Sequence, residues 1–314
     1  MSLIGAIDMG GTKIAVGLVS LQGEVLAGEQ FPTQSHPYPA GGLKEIVTRL
    51  DRLLLQAGQP LAGIGIACTG QVNPATFSLG HNAFLPGWDG AQMVTRLQQH
   101  YHVPVALQND AVAAALAESA WGAGKGLETL LYITVSTGIG GGLVQHGRAY
   151  IGIGGAHPEI GHHTIDPSGP ACYCGAHGCW ESLASGTAMA AWASSQGSEP
   201  SQASLLAGKP VTAERICAAA VDGDPLALAA VRHEGYYLGL GMANLIDLFA
   251  PDAIILGGGV MKSLPLFRAQ IDQVIKENCR LVPYEKVQLL PASLGSSLAL
   301  AGAAQVWLSQ GDLA

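Results

Sequence analysis

Between His157 and Glu181 the chain reads HPEIGHHTIDPSGPACYCGAHGCWE, its densest concentration of reactive side chains. Three of the six cysteines, Cys172, Cys174 and Cys179, fall within eight residues of one another around a glycine-containing turn. Four histidines (His157, His162, His163, His177) share the window, with Glu159 and Glu181 near its two ends. Thiolate and imidazole at this density suit a closed tetrahedral zinc site, because zinc is borderline-soft and asks only for four close ligands. The segment has little apolar sequence of its own to fold around, so a metal would fix it and aim the glutamates at a polar ligand.

Two glycine turns offer a different chemistry. Asp8-Met-Gly-Gly-Thr-Lys13 follows one short apolar run, and Ser136-Thr-Gly-Ile-Gly-Gly-Gly142 follows another. Glycines let backbone N–H groups approach a polyanion, while Thr12 and Lys13 add a hydroxyl and a charge. Asp8 reads either as a carboxylate holding magnesium through water or as the acceptor of an ordinary hairpin turn. Asp110 ends the run Gln108-Asn-Asp110 where a strand hands over to a helix. That is the usual ligand edge of an open α/β sheet, and equally a place for a plain helix cap.

The elements that must position these groups follow from hydrophobic pattern. Strands are predicted at 3–8, 14–19, 63–68, 103–107, 130–135, 143–147, 253–256 and 287–290, with a further one after the turn at 21–24. Helices are predicted at 43–56, 91–100, from Asp110 onward, and at 181–193, 213–220, 225–249 and 298–309. The recurrence of strand, glycine turn and strand, at Gly10 and again at Gly138, implies two similarly built lobes facing each other. The expected boundaries are residues 1–118 for a small lobe, with helix 299–314 returning to pack on it, and 119–298 for a large lobe carrying the zinc segment. Residues 194–209 read as a mobile, polar excursion. Trp88 and Trp121 read as packing residues.

Composition narrows the function. Charged residues make up only 12% of the 314, and mean hydropathy is +0.30, yet no apolar run approaches the ~18 residues of a membrane span. No basic region leads into an apolar run at the start, so no signal peptide is expected. The net charge of −8, with dispersed Lys and Arg, argues against nucleic acid as a partner. Cys68, Cys217 and Cys279 stand apart in apolar surroundings and read as buried thiols of a reducing cytoplasm. The 43 glycines point to phosphate-handling loops.

Taken in order, Asp8-Met-Gly-Gly-Thr-Lys13, Gln108-Asn-Asp110, Ser136-Thr-Gly-Ile-Gly-Gly-Gly142, Glu159-Ile-Gly-His162 and Cys172-Tyr-Cys-Gly-Ala-His-Gly-Cys-Trp-Glu181 resemble the ROK family (repressors, open reading frames, kinases) over nearly the whole chain. The resemblance implies a two-domain actin-like (ribonuclease H-like) α/β sugar kinase fold with a cleft between lobes. It implies transfer of the γ-phosphate of ATP to the 6-hydroxyl of a hexose, glucose or an N-acetylated hexosamine such as N-acetylmannosamine. By motif position Asp110 is the catalytic base. Asn109, Glu159, His162 and Glu181 bind sugar hydroxyls, with the backbone of Gly70 nearby. Gly10, Gly11, Thr12, Lys13, Thr137 and Gly138 hold phosphates, Gly257 and Gly258 border the nucleoside, and Asp8 positions Mg2+. His162, Cys172, Cys174 and Cys179 hold Zn2+, with His177 as a rival fourth ligand. His162 then has one ring nitrogen on zinc and the other toward the sugar, while His163 is expected at the surface or behind the ligands.

Two departures fall at the sugar. His157-Pro158 before Glu159 is closer to fructokinase-like members, and the loop through Asn82 is longer than usual. Repressor members carry a DNA-binding domain ahead of the first motif, and with that motif beginning at Asp8 none is expected here; a non-catalytic sugar-sensing regulator is the contrasting expectation. A homodimer is expected from the family likeness and from the glycines of helix 225–249.

Overall fold

A computed structural model of the chain describes residues 2–73, 76–80, 84–196, 204–208 and 210–310. In chain order the elements are β1 (Leu3–Met9), β2 (Lys13–Val19), β3 (Val25–Pro32), α1 (Pro39–Ala57), β4 (Leu61–Cys68), β5 (Val72–Asn73), β6 (Ser78–Leu79), α2 (Met93–Tyr101), β7 (Val105–Asn109), α3 (Asp110–Trp121), β8 (Thr129–Val135), β9 (Ile139–Gln145) and β10 (Arg148–Ala149). They continue with α4 (Trp180–Leu183), α5 (Gly186–Ser195), α6 (Ala213–Val221), α7 (Pro225–Phe249), β11 (Ala253–Gly257), α8 (Leu264–Asn278), β12 (Gln288–Pro291) and α9 (Leu298–Gln310). Two compact units result: Met1–Tyr132 with Gly142–Pro158 and Ala292–Ala314, and Ile133–Gly141 with Glu159–Pro291.

The sheet of the first unit has the order β3-β2-β1-β4-β7. Its first three strands form an antiparallel meander, and β1, β4 and β7 run parallel. Alternation along β4 sends Ile64 and Ile66 to one face, where they join Ile7, Ile46, Leu50, Trp88 and Leu107 in a buried core. Gly63 and Gly65 face α9. A Cβ on Gly65 would lie 1.7 Å from the carbonyl oxygen of Ala303, and one on Gly63 would lie 2.0 Å from the Trp307 indole nitrogen. Gly17 and Gly28 meet Leu300 at 2.7 and 2.9 Å in the same sense. These strand glycines are a seat for the last helix, a use of glycine that abundance alone assigns wrongly to phosphate loops. At the end of α3, the buried Glu118 carboxylate accepts from the backbone N–H groups of Ala123 (2.8 Å), Ser293 (2.9 Å) and Leu294 (3.0 Å). It ties the approach to α9 onto α3. Trp88 is buried, and Trp121 packs over Gly23, so both serve packing.

The second sheet has the order β10-β9-β8-β11-β12, with β11 and β12 parallel. By strand rank both sheets read three-two-one-four-five, the internal repeat that the two glycine turns predict. The predicted helix 181–193 is in fact two, because Ser185 breaks from helical geometry and caps α5 by accepting from Ala188 N–H at 3.1 Å. Helix α8 has no counterpart among the predicted elements, although Leu264, Phe267, Ile271, Val274 and Ile275 mark its buried face. The glycines of α7 are used inside the chain. Gly235 and Gly239 receive Gln270 and Val274 of α8, and Gly241 receives the ring of Trp180, so they give no argument for a seam between two copies. Of the excursion 194–209, Ser194 and Ser195 end α5, and the described residues 204–208 are anchored where mobility is expected. Leu206 is buried, and the Asp224 carboxylate accepts from Ser204 Oγ (2.9 Å) and Leu205 N–H (2.8 Å). Among the described residues no helix is long and apolar enough to cross a membrane.

Candidate active site and metal centre

In the first unit, strand register decides which side chains meet. Asp8 pairs with Ala67 and Ala67 with Gln108, while Met9 pairs with Cys68 and Cys68 with Asn109. The C-terminal ends of three parallel strands therefore lie side by side, the edge at which open α/β sheets take ligands. Asn109 is the N-cap of α3: its Oδ1 accepts from Ala111 N–H (2.9 Å) and Val112 N–H (3.2 Å). The cap that the sequence allows for Asp110 thus falls to its neighbour, and Asp110 is the first residue of the helix. Asn109 Nδ2 also donates to the Gly70 carbonyl at 3.1 Å, which leaves one amide hydrogen for a ligand.

The electrostatics of this edge are those of crowded carboxylates. Burial, and then the charge of Asp110, push the Asp8 carboxyl up to about 7, against a smaller downward pull from Lys13. Burial and the same two aspartates drive the Cys68 thiol far above its ordinary value, so it stays protonated. A hard divalent cation would relieve this repulsion, and a carboxylate already held near neutrality fits such a role. In the first glycine turn, Gly10 N–H donates to Lys13 O at 3.0 Å, Thr33 Oγ donates to Gly10 O at 2.7 Å, and a Cβ on Gly11 would lie 3.0 Å from Phe84. Thr12 and Lys13 are exposed, and Lys13 Nζ donates to Gln30 at 3.0 Å.

In the second unit the ligand-bearing atoms of His162, Cys172, Cys174 and Cys179 all lie within 4.8 Å of one another. Cys174 Sγ is 3.6 Å from Cys179 Sγ, and Cys172 Sγ is 3.5 Å from His162 Nδ1. Metal–sulfur bonds of about 2.3 Å and metal–nitrogen bonds of about 2.0–2.1 Å, set tetrahedrally, give edges of roughly 3.8 and 3.6 Å. The four donors fit zinc. Burial pushes the Cys179 thiol up to about 12, so a cation is what would let it ionise. His177 stands apart from this group of donors and pairs through its backbone with Ala171. His163, expected at the surface or behind the ligands, is half-buried with its ring against Trp180. His162 Nε2 lies 3.0 Å from the hydroxyl of Tyr173, the residue between the first two cysteines. Burial, then the charges of Glu181 and Glu159, raise that phenol to about 12, which puts it in their company.

The second glycine turn is held from two sides. Gly186 N–H donates to Ser136 O at 2.7 Å, and Ile139 N–H donates to Glu181 Oε2 at 2.8 Å. A cavity of about 700 Å³ opens beside Ser136 and Thr137. Its walls are Gly186, Thr187 and Ala190 of α5, the stripe Glu214, Cys217, Ala218 and Val221 of α6, and Gly259, Val260, Lys262 and Ser263. That volume is of the order of small-molecule sites. Gly257 is buried, and Gly258 (φ +91) is pressed against Val135, where a Cβ would lie 2.3 Å from the carbonyl oxygen. The cavity begins one residue later. The α6 stripe is the part the sequence reading missed. Its spacing of three, four and seven is that of a buried helix face, yet Val221 is 72% exposed, which only the folded chain reveals. Asn82 lies outside the described residues.

Two α/β units, each on a sheet of the same strand order, with carboxylates and glycine turns at strand ends, define the actin-like two-domain fold. The ROK family model matches residues 4–310, and the chain belongs to the ROK family. A glucokinase of Halalkalibacterium halodurans is 35% identical over 265 residues, 82% of this chain and 80% of that one. A ROK hexokinase from Thermus thermophilus superposes with a TM-score of 0.84 at 32% identity, covering 99% of both chains. A ROK glucokinase of Streptomyces griseus, solved in complex with glucose and AMPPNP, superposes at 0.78 with 31% identity over 97% of this chain and 99% of that one. The xylose repressor of Bacillus subtilis is 29% identical over 305 residues, 96% of this chain but 75% of the repressor.

Proposed function

We propose that the protein is an ATP-dependent hexose kinase that transfers the γ-phosphoryl group of ATP to the 6-hydroxyl of a hexose, with glucose or an N-acetylated hexosamine such as N-acetylmannosamine as the leading sugars. The observation that carries this reading is the strand-end edge of the first unit, where Asp110 opens a helix beside the raised carboxyl of Asp8. Asp110 accepts the proton of the attacking hydroxyl. Positioning supplies most of the rate, so an ordinary carboxylate suffices. Asn109, Glu159, His162 and Glu181 hold sugar hydroxyls, as carboxylates and amides do with directional strength.

Gly10, Gly11, Thr12, Lys13, Thr137 and Gly138 handle the phosphates, and the cavity along α6 takes the nucleoside, with Gly257 and Gly258 bordering it. Asp8 holds Mg2+, which when bound spreads the charge of the transferring group. Zinc on His162, Cys172, Cys174 and Cys179 braces the segment that carries the sugar ligands. A homodimer and a reducing, cytoplasmic setting belong to the same reading.

An ADP-release assay across glucose, mannose, fructose, N-acetylmannosamine, N-acetylglucosamine and allose tests it. Turnover fastest on fructose would favour the fructokinase-type alternative, and no turnover on any sugar would favour a sensing regulator of the kind the repressor relatives represent. Asp110→Asn is expected to lower kcat by about 10²–10⁴-fold while hexose binding persists. Near-wild-type turnover in that variant would remove Asp110 from the role of base.

A further inference from the structure

Glu181 touches more than a sugar would require of it. Its Oε2 accepts from Ile139 N–H at 2.8 Å, so one amide of the second glycine turn is already satisfied from within the chain. The adjacent Gly138 has a negative φ that any residue can adopt, yet a Cβ built on it would lie 2.1 Å from the same Oε2. Glycine is present at that position to admit the Glu181 carboxylate. At the next peptide, a Cβ on Gly161 would lie 2.0 Å from the Ile139 carbonyl oxygen, so the segment joining Glu159 to His162 also bears on this turn. Thr137 and Ser136, one and two residues before Gly138, line the cavity of about 700 Å³. The turn thus meets the cavity through Ser136 and Thr137 and the carboxylate through Gly138 and Ile139.

We infer that Glu181 is a positioning residue that couples hexose binding to nucleotide binding through the second glycine turn. The inference rests on the kinase reading above. A carboxylate has more acceptor sites than one N–H can fill, so Oε2 can keep the turn while Oε1 takes a sugar hydroxyl. Fixing the carboxylate from the sugar side then fixes Ile139 and Gly138, and with them the wall that Thr137 presents to the nucleotide. The turn, ordered by one ligand, costs the other less to order, and the coupling is equal in both directions.

The test is isothermal titration of AMPPNP and of the hexose turned over fastest in the panel above, each with and without the other. Wild type is expected to bind the hexose at least about fivefold tighter in the presence of AMPPNP. Gly138→Ala, which drives a methyl group into the carboxylate, is expected to weaken hexose binding measured without nucleotide and to bring the coupling below about twofold. Glu181→Ala is expected to weaken AMPPNP measured without sugar. Glu181→Gln keeps an acceptor for Ile139 N–H and is expected to retain the coupling at reduced hexose affinity. Zinc content and melting temperature serve as controls for folding. Unchanged hexose affinity in Gly138→Ala, or unchanged AMPPNP affinity in Glu181→Ala, would overturn the inference. A wild type that phosphorylates no hexose would remove the kinase reading and this inference with it, and is seen before any variant is made.

Discussion

Asp8 is expected to make the protein less stable as the pH rises, and replacing it should show by how much. Burial first, then Asp110, hold its carboxyl near 7 in the folded chain, against 3.8 without those neighbours. Below about pH 4 the carboxyl is protonated whether the chain is folded or not, and Asp8 contributes no penalty. Between about 4 and 7 the folded state keeps a proton that the unfolded state has lost, so folding weakens as pH rises through that window. Above 7 the penalty is complete. At about 1.4 kcal/mol for each tenfold change in proton affinity, it amounts to ~4 kcal/mol as an upper value, since water entering the edge softens it. Asp8→Asn keeps the shape and never ionises. In urea unfolding without added divalent cations, its stability advantage over wild type should grow by about 2–3 kcal/mol from pH 5 to pH 8. Added Mg2+ should shrink the gap at pH 8 by stabilising the wild-type carboxylate alone. The same gap at both pH values, or no gap, would refute the electrostatic account of this edge. Kinase activity should be lost in the variant, so stability and function move in opposite directions at one residue.

Metal analysis should find one zinc per chain, absent from Cys174→Ser together with a lower melting temperature; a fully active, zinc-free wild type would refute the tetrahedral centre. Glu118→Gln leaves one acceptor oxygen where Ala123, Ser293 and Leu294 all donate, and should cost about 2–4 kcal/mol by the urea midpoint. A loss below about 1 kcal/mol would show that water replaces the carboxylate there.

The zinc donors were legible because their chemistry is local: three thiols within eight residues can scarcely avoid one another, and the spacing names the candidates. The choice of His162 over His177 was not local, since it depends on how the chain between Glu159 and Cys179 folds back. Both sheets could be anticipated from apolar runs entering glycine turns, and α7 was read to its exact ends because proline opens it and Ala250-Pro251 closes it. Helix α8 is obscured although its apolar spacing is regular, because the glycines just before Val260 signal a turn. The purposes of Gly65, Gly138 and Gly241 lay beyond the sequence. Each makes room for an atom tens of residues away: a carbonyl of α9, the Glu181 carboxylate and the Trp180 ring. A missing side chain carries no mark of what fills its space.

The seat that α9 takes on the first sheet has a consequence for biosynthesis. Four glycines on β2, β3 and β4 wait for Leu300, Ala303 and Trp307, which are made after the strands of both sheets. While residues 133 to 291 are being made, on the order of 10–30 s at typical elongation rates, the sheet of the first unit lacks the helix that covers one of its faces. Closure of the first sheet therefore waits for the segment that carries α9, and a nascent chain cut short before Leu298 would lack the piece that covers these glycines.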